Sequence, residues 1–298
     1  MLYDGTNLAR KEDVVVVGVN HRLNLFGFLY LADLGGEKWA NSSNVGMQDI
    51  VAALSWIKQN ISVFGGDPGN VTIFGQSGGA AKVTTLMAMP SAKGLFHRAI
   101  AQSGSAFRGI TRATATKAAG EFLARLGLKS SQLDELQKMP WLQLREAFEK
   151  RPGISNTDVW LIMNSDNTRR ANAQQLAELK VAQGKAADYQ YYFTWRSPVH
   201  KGQMKSFHTL DIPFVFYNLD IAASMTGAAN ERYALAHKMS AAWAAFARTG
   251  NPNHPDLPNW PAFTLKDRAT MIFNNESKVV NDPNREERLA LKAIRETS

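Results

Sequence analysis

Apolar residues recur along this chain in two rhythms. Val14–Val19 is a continuous β-branched run after a polar stretch, the pattern of a short strand buried on both faces of a parallel sheet. Over Val45–Gln59 the apolar positions Val45, Ile50, Val51, Leu54 and Ile57 follow helical spacing, with Ser43 or Asn44 as N-cap. The stretch Phe64–Asn70 is dense in turn residues. Val71–Phe74 then reads as a second strand, Gly75–Gly79 as a tight turn, Ala80–Met89 as a helix and Arg98–Gln102 as a third strand. This alternation predicts an α/β fold with parallel strands.

Residues 111–150 change character: Ala, Leu, Lys and Glu dominate at helical spacing, which predicts two or three helices over the core. Ala171–Ala182 reads as a helix and Tyr189–Thr194 as a strand. Tyr233–Arg248 reads as a long helix stopped by Gly250 and Pro252. Ala269–Phe273 is a late strand and Glu286–Thr297 a final charged helix. No repeat, low-complexity tract or linker interrupts the pattern, so a single domain over residues 1–298 is expected.

Composition narrows the functions. The chain has no cysteine, which excludes disulfides, thiolate metal sites and a Cys nucleophile. The formal net charge is +8, yet Lys and Arg are scattered among Asp and Glu, so no nucleic-acid surface is expected. No run approaches the ~18 apolar residues of a membrane span. The N-terminal residues lack a charged segment followed by an apolar one. A cytoplasmic protein is therefore expected. Gly65-Gly66 lacks the Lys-Ser/Thr of a phosphate loop, and neither metal nor cofactor is expected.

The chemistry centres on Gly75-Gln76-Ser77-Gly78-Gly79, placed directly after a predicted strand and before a predicted helix. This is the Gly-x-Ser-x-Gly nucleophile elbow in its required context. The glycines leave room for strand and helix backbones to pass, and the turn presents the Ser77 hydroxyl. The Gly78 amide, at the helix N-terminus, points where an oxyanion would develop. A glycine-rich helix start with no catalytic role is the alternative that these five residues alone leave open.

The flanking residues carry a family resemblance. Asn20–Phe28 (NHRLNLFGF) resembles the N-x-R-L-x-x-x-G-F segment of type-B carboxylesterases, and Asn44–Asp49 (NVGMQD) their N-x-G-x-x-D helix start. Trp56–Ile61 followed by Phe64–Pro68 resembles W-V-x-x-N-I-x-x-F-G-G-D-P, leading into the Ser77 elbow. Gln102–Ser105 resembles Q-S-G-S. Phe207–Phe216 (FHTLDIPFVF) is similar to the segment that supplies the catalytic histidine, and Trp243–Asn253 to W-x-x-F-A-x-x-G-x-P-N, with Trp260-Pro261 following. Together these cover residues ~1–110 and ~155–298.

The resemblance implies an α/β-hydrolase fold, a mostly parallel central sheet with flanking helices. It implies hydrolysis of a small-molecule carboxylic ester: Ser77 attacks the carbonyl, and His208 acts as general base and then general acid. His21, His97, His200, His237 and His254 have plain readings as core, surface or turn residues. Ser103 resembles a position near the triad, with a strand-end structural role as the equal alternative. For Phe26, Phe28 and Trp56 core packing is favoured over an acyl pocket, and Asp67 has turn chemistry.

Two family features have no match. The glycine-rich oxyanion segment lies upstream of Y-D-G in the family, and here Tyr3-Asp4-Gly5 opens the chain. The triad acid, in a G-x-x-x-x-E segment between serine and histidine, is also absent, so its identity is unknown and an internal deletion near 150–155 is expected. Asp158 and Asp166 are weak stand-ins. In the family both segments follow interior strands, so the sheet should be incomplete, with edges open to self-association. The leading expectation is a serine carboxylesterase. The alternative is a catalytically impaired esterase-fold fragment or interaction protein.

Overall fold

The computed structural model describes residues 2–106, 109–149 and 169–296. They form two compact units. One is built from the described residues of Met1–Gly18, Lys58–Phe107 and Leu161–Ser298, the other from those of Val19–Ile57 and Arg108–Trp160.

The first unit carries all the strands. β1 (Thr72–Gln76) and β2 (Arg98–Gln102) pair in parallel, with Thr72 opposite Arg98 and Gln76 opposite Gln102. The Gly78–Ala88 helix connects them, as a parallel pair requires. A second sheet holds β3 (Gln190–Phe193), β4 (Ala269–Phe273) and β5 (Lys278–Asn281) in that order. β3 and β4 are parallel, β4 and β5 antiparallel. Among the described residues no ladder joins β2 to β3, so the sheet is interrupted between them. The core of this unit packs Phe214, Leu235, Met239, Trp243, Met271 and Phe273. Long helices cover it, above all Arg232–Thr249, which ends at Gly250 in the left-handed conformation with its N–H on the Phe246 carbonyl.

The predicted strand at Val14–Val19 does not form. Burial alternates with a period of two: Val14 and Val16 pack against the core, whereas Val15 is 45% and Val17 42% exposed. That is the rhythm of a chain buried on one face rather than two, and among the described residues no neighbouring strand pairs with it. A strand needs a partner for its N–H and C=O groups, and the sequence run supplies only the side chains.

The second unit packs Leu31, Phe122, Leu123, Leu133 and Leu144 around the helices Arg112–Arg125 and Trp141–Glu149. Here the motif residues explain themselves. The Arg22 guanidinium binds both carboxylate oxygens of Asp49 (Nη2 to Oδ1 2.6 Å, Nε to Oδ2 2.9 Å), and the Arg22 backbone N–H donates to the same carboxylate. These bonds hold the Asp49 carboxyl down at about 2. A Cβ on Gly27 would lie 2.1 Å from the Arg22 carbonyl oxygen, and one on Gly46 2.5 Å from it, so both glycines are required by one close approach. Phe26 and Trp56, expected in the core, are instead 40% and 48% exposed.

Candidate active site

The elbow is built by close backbone approaches. Ser77 has φ 55° and ψ −117°, a conformation that side-chain-bearing residues avoid and that the surroundings must enforce. Its N–H donates to the Gln102 carbonyl at 2.8 Å, and its carbonyl accepts from Ala81 N at 3.0 Å in the helix that follows. A Cβ on Gly75 would fall 2.6 Å from the Gly79 carbonyl carbon, which is why the strand must hand over to the helix on glycine. Gly104 is tighter still: a Cβ there would lie 2.0 Å from the Ser77 carbonyl oxygen. Nothing in the sequence reading marked Gly104 beyond its place in the Gln102–Ser105 motif. The adjoining Ser103 also has positive φ, at 54°, and is exposed to the cavity described below. Gly78 begins the helix and is exposed.

His208 lies beside the elbow. Both of its ring nitrogens are 3.3 Å from the amide nitrogen of Gln76, the residue before Ser77. Arg169 Nη1 is 3.1 Å from His208 Nδ1. A guanidinium has no acceptor, so it donates and Nδ1 accepts. A neutral imidazole with a bare Nδ1 carries its proton on Nε2. Desolvation and then the adjacent Arg169 charge lower the His208 pKa from its ordinary value. Among the described residues, no hydrogen bond joins Ser77 Oγ to His208. The structure therefore bonds His208 to Arg169 and to Gln76, the residue before the serine.

The His208 segment is anchored by groups that sequence reasoning did not weigh. Asp211, buried three residues on, accepts from Gln102 Nε2 at 2.8 Å and from the Tyr191 hydroxyl at 3.4 Å. The Gln102 amide oxygen in turn accepts from Trp243 Nε1 at 3.4 Å. One network thus ties the end of β2, strand β3 and the long helix to the loop that carries His208. Burial raises the Asp211 carboxyl above the ordinary range and the Tyr191 hydroxyl well above its own. The only signal for Asp211 was its place in the histidine segment.

A cavity of about 1020 Å³ opens at this point, lined by β2 and β3 along with Ser103, Arg169 and His208. It occupies the interruption of the sheet, where an interior strand was expected to be missing. The proposed stand-in acids Asp158 and Asp166 lie outside the described residues, as does the expected deletion point. Three of the other five histidines have structural partners: His97 Nδ1 accepts from Val71 N–H, His237 faces Asp256, and His254 bonds the Lys238 carbonyl. Asp67 makes the expected turn, accepting from Gly69 N–H at 2.7 Å. Among the described residues no group of His, Asp and Glu could hold a metal ion, and no helix is long and apolar enough to cross a membrane.

Parallel strands joined by a helix, with a serine on the strained turn between them, define the α/β-hydrolase class. The comparisons make this specific. The model of the carboxylesterase family matches residues 1–162 and 154–292. The para-nitrobenzyl esterase of Bacillus subtilis is 32% identical over 97% of this chain and 75% of its own. The human cocaine esterase is 28% identical over 91% and 65%. Among solved structures, a para-nitrobenzyl esterase superimposes with a TM-score of 0.88 (30% identity, 97% of this chain and 76% of that one). A carboxylesterase of Geobacillus stearothermophilus gives 0.87 (32%, 97% and 78%). The chain belongs to the carboxylesterase family, and the reaction of that family is the hydrolysis of carboxylic esters. The alignment with the Bacillus relative runs over 373 positions against a chain of 298, so that relative carries several dozen residues without counterpart here.

Gly104→Ala is expected to push the Ser77 carbonyl aside. Overpacking of this kind costs about 1–3 kcal/mol of stability, and an ångström of misplacement at a reacting group about 10²-fold in rate. Gly79→Ala adds a Cβ that meets nothing within 4 Å and serves as the control. Thermal melts and kcat/KM on both variants check the contrast.

Proposed function

We propose that this chain hydrolyses a small carboxylic ester through an acyl-enzyme formed on Ser77. The observation that carries the reading is the enforced elbow: a serine at φ 55° pinned between the end of β2 and the start of a helix, with His208 against the preceding Gln76. Ser77 Oγ attacks the carbonyl carbon and its proton passes to His208 Nε2, which must first give up the proton that it carries while Arg169 occupies Nδ1. The tetrahedral oxyanion develops toward the Gly78 N–H at the helix N-terminus. Collapse expels the alcohol, which takes the proton from His208. Water then repeats the sequence on the acyl group.

The Arg169 contact favours a second reading, an impaired enzyme. A triad carboxylate holds Nδ1–H and leaves Nε2 free to accept, whereas a guanidinium on Nδ1 does the opposite. Losing the acid of a triad alone costs on the order of 10⁴ in kcat. Hydrolysis of a short-chain p-nitrophenyl ester is therefore expected to be slow, and to disappear in Ser77→Ala and in His208→Ala. Equal rates in all three proteins would sink the serine mechanism. Because the base must be neutral and its pKa is lowered, the Ser77-dependent rate should hold as pH falls past 6.5 and decline only below it.

Among the described residues β2 and β3 are not paired with each other, which supports a further proposal, that copies of the chain associate through open strand edges. Sedimentation velocity over the micromolar range should show a concentration-dependent dimer. A single monomeric species throughout would contradict it.

A further inference from the structure

Arg169 is a cation in an unusual setting. Among the described residues it forms no ion pair, and its one hydrogen bond goes to the His208 ring nitrogen. A guanidinium prefers a carboxylate or phosphate, which its planar fork binds through two parallel bonds. Here it faces a group that becomes cationic on protonation. The pair borders a cavity large enough for small molecules, whose lining carries cationic side chains over acidic ones by seven to three. Two of those acids, Asp188 and Asp211, have carboxyls raised by burial, which further weakens the negative side.

We propose that Arg169 and His208 form a binding site for a small carboxylate anion, which inserts between guanidinium and imidazole. The inference rests on the serine-esterase reading only for its catalytic consequence; binding stands on the geometry of the pair. In the bound arrangement the carboxylate accepts two N–H bonds from Arg169 on one side and Nδ1–H from His208 on the other. The imidazole gains a proton at Nδ1 and gives up the one at Nε2 to solvent, so the net protonation is unchanged. The long Arg169 stem and the open cavity allow the guanidinium to retreat from its present 3.1 Å contact. Nε2 is then bare, 3.3 Å from the side-chain nitrogen of Gln76 in the elbow, and free to serve as the acceptor that Ser77 needs. The anion takes the place at Nδ1 that a carboxylate side chain fills in a complete triad.

Acetate is the probe, titrated at constant ionic strength against chloride into protein labelled with ¹⁵N at histidine. Two readouts are followed: the His208 ring ¹⁵N shifts, and p-nitrophenyl butyrate hydrolysis after subtraction of the Ser77→Ala rate. Acetate is expected to move the proton from Nε2 to Nδ1 in the spectra, saturating at about 1–100 mM, an affinity suited to one partly solvated ion pair. Arg169→Met should lose that change. The Ser77-dependent kcat/KM should rise about 10²-fold over the same range, the lower end of what a positioned base contributes. No acetate-dependent shift in the unaltered protein, or the same shift in Arg169→Met, would overturn the site. A shift saturating in the unaltered protein alone, with no Ser77-dependent hydrolysis at any acetate concentration, upholds the site and removes the esterase mechanism instead.

Discussion

The structure depends on one close approach, the Ser77 backbone lodged between Gln102, Gly104 and the following helix. The N–H of Ser77 is bonded to the Gln102 carbonyl, its carbonyl oxygen leaves no room for a Cβ at Gly104, and its φ of 55° is enforced from both sides. Strain of this kind persists only where the surroundings over-determine it. The parallel pairing of β1 with β2 brings those surroundings together, since Gln76 and Gln102 are register partners at the ends of the two strands. Pairing, glycine placement and serine presentation are therefore a single constraint.

Beyond that constraint, the gap between β2 and β3 bears on the chemistry. Among the described residues no ladder joins the two strands, and both line a cavity. What crosses the gap is polar: Gln102 on one strand and Tyr191 on the other meet at the buried Asp211. Buried polar groups with satisfied bonds specify a geometry even where they contribute little net stability. Here they fix the loop that carries His208. His208, on that loop, has its Nδ1 against the Arg169 guanidinium.

How legible this was in the sequence follows the range of each interaction. β1, β2, the helix behind the elbow and the Arg232–Thr249 helix were readable because local periodicity and their caps carry them. β5 was missed because Lys278–Asn281 is four residues long and gains its state only by pairing with β4. Val14–Val19 has the side chains of a buried strand but no partner, and partners are not written in a local run. The motif glycines and Asp49 were recognisable as a pattern. Their reason, a single close approach to the Arg22 carbonyl and guanidinium, is visible only in three dimensions. Ser77 and His208 were legible as site residues through elbow context and family resemblance. Arg169 was not, because it belongs to no motif and meets His208 across 39 residues of chain.

The central claim is that the enforced turn makes Ser77 a nucleophile. The most direct test is reaction with a fluorophosphonate followed by intact-mass measurement and peptide mapping, which reads the serine without requiring turnover. A single phosphonyl adduct is expected, with loss of fluoride, located at Ser77 and absent from Ser77→Ala. An unlabelled protein, or label distributed over other serines and unchanged in the variant, would contradict it.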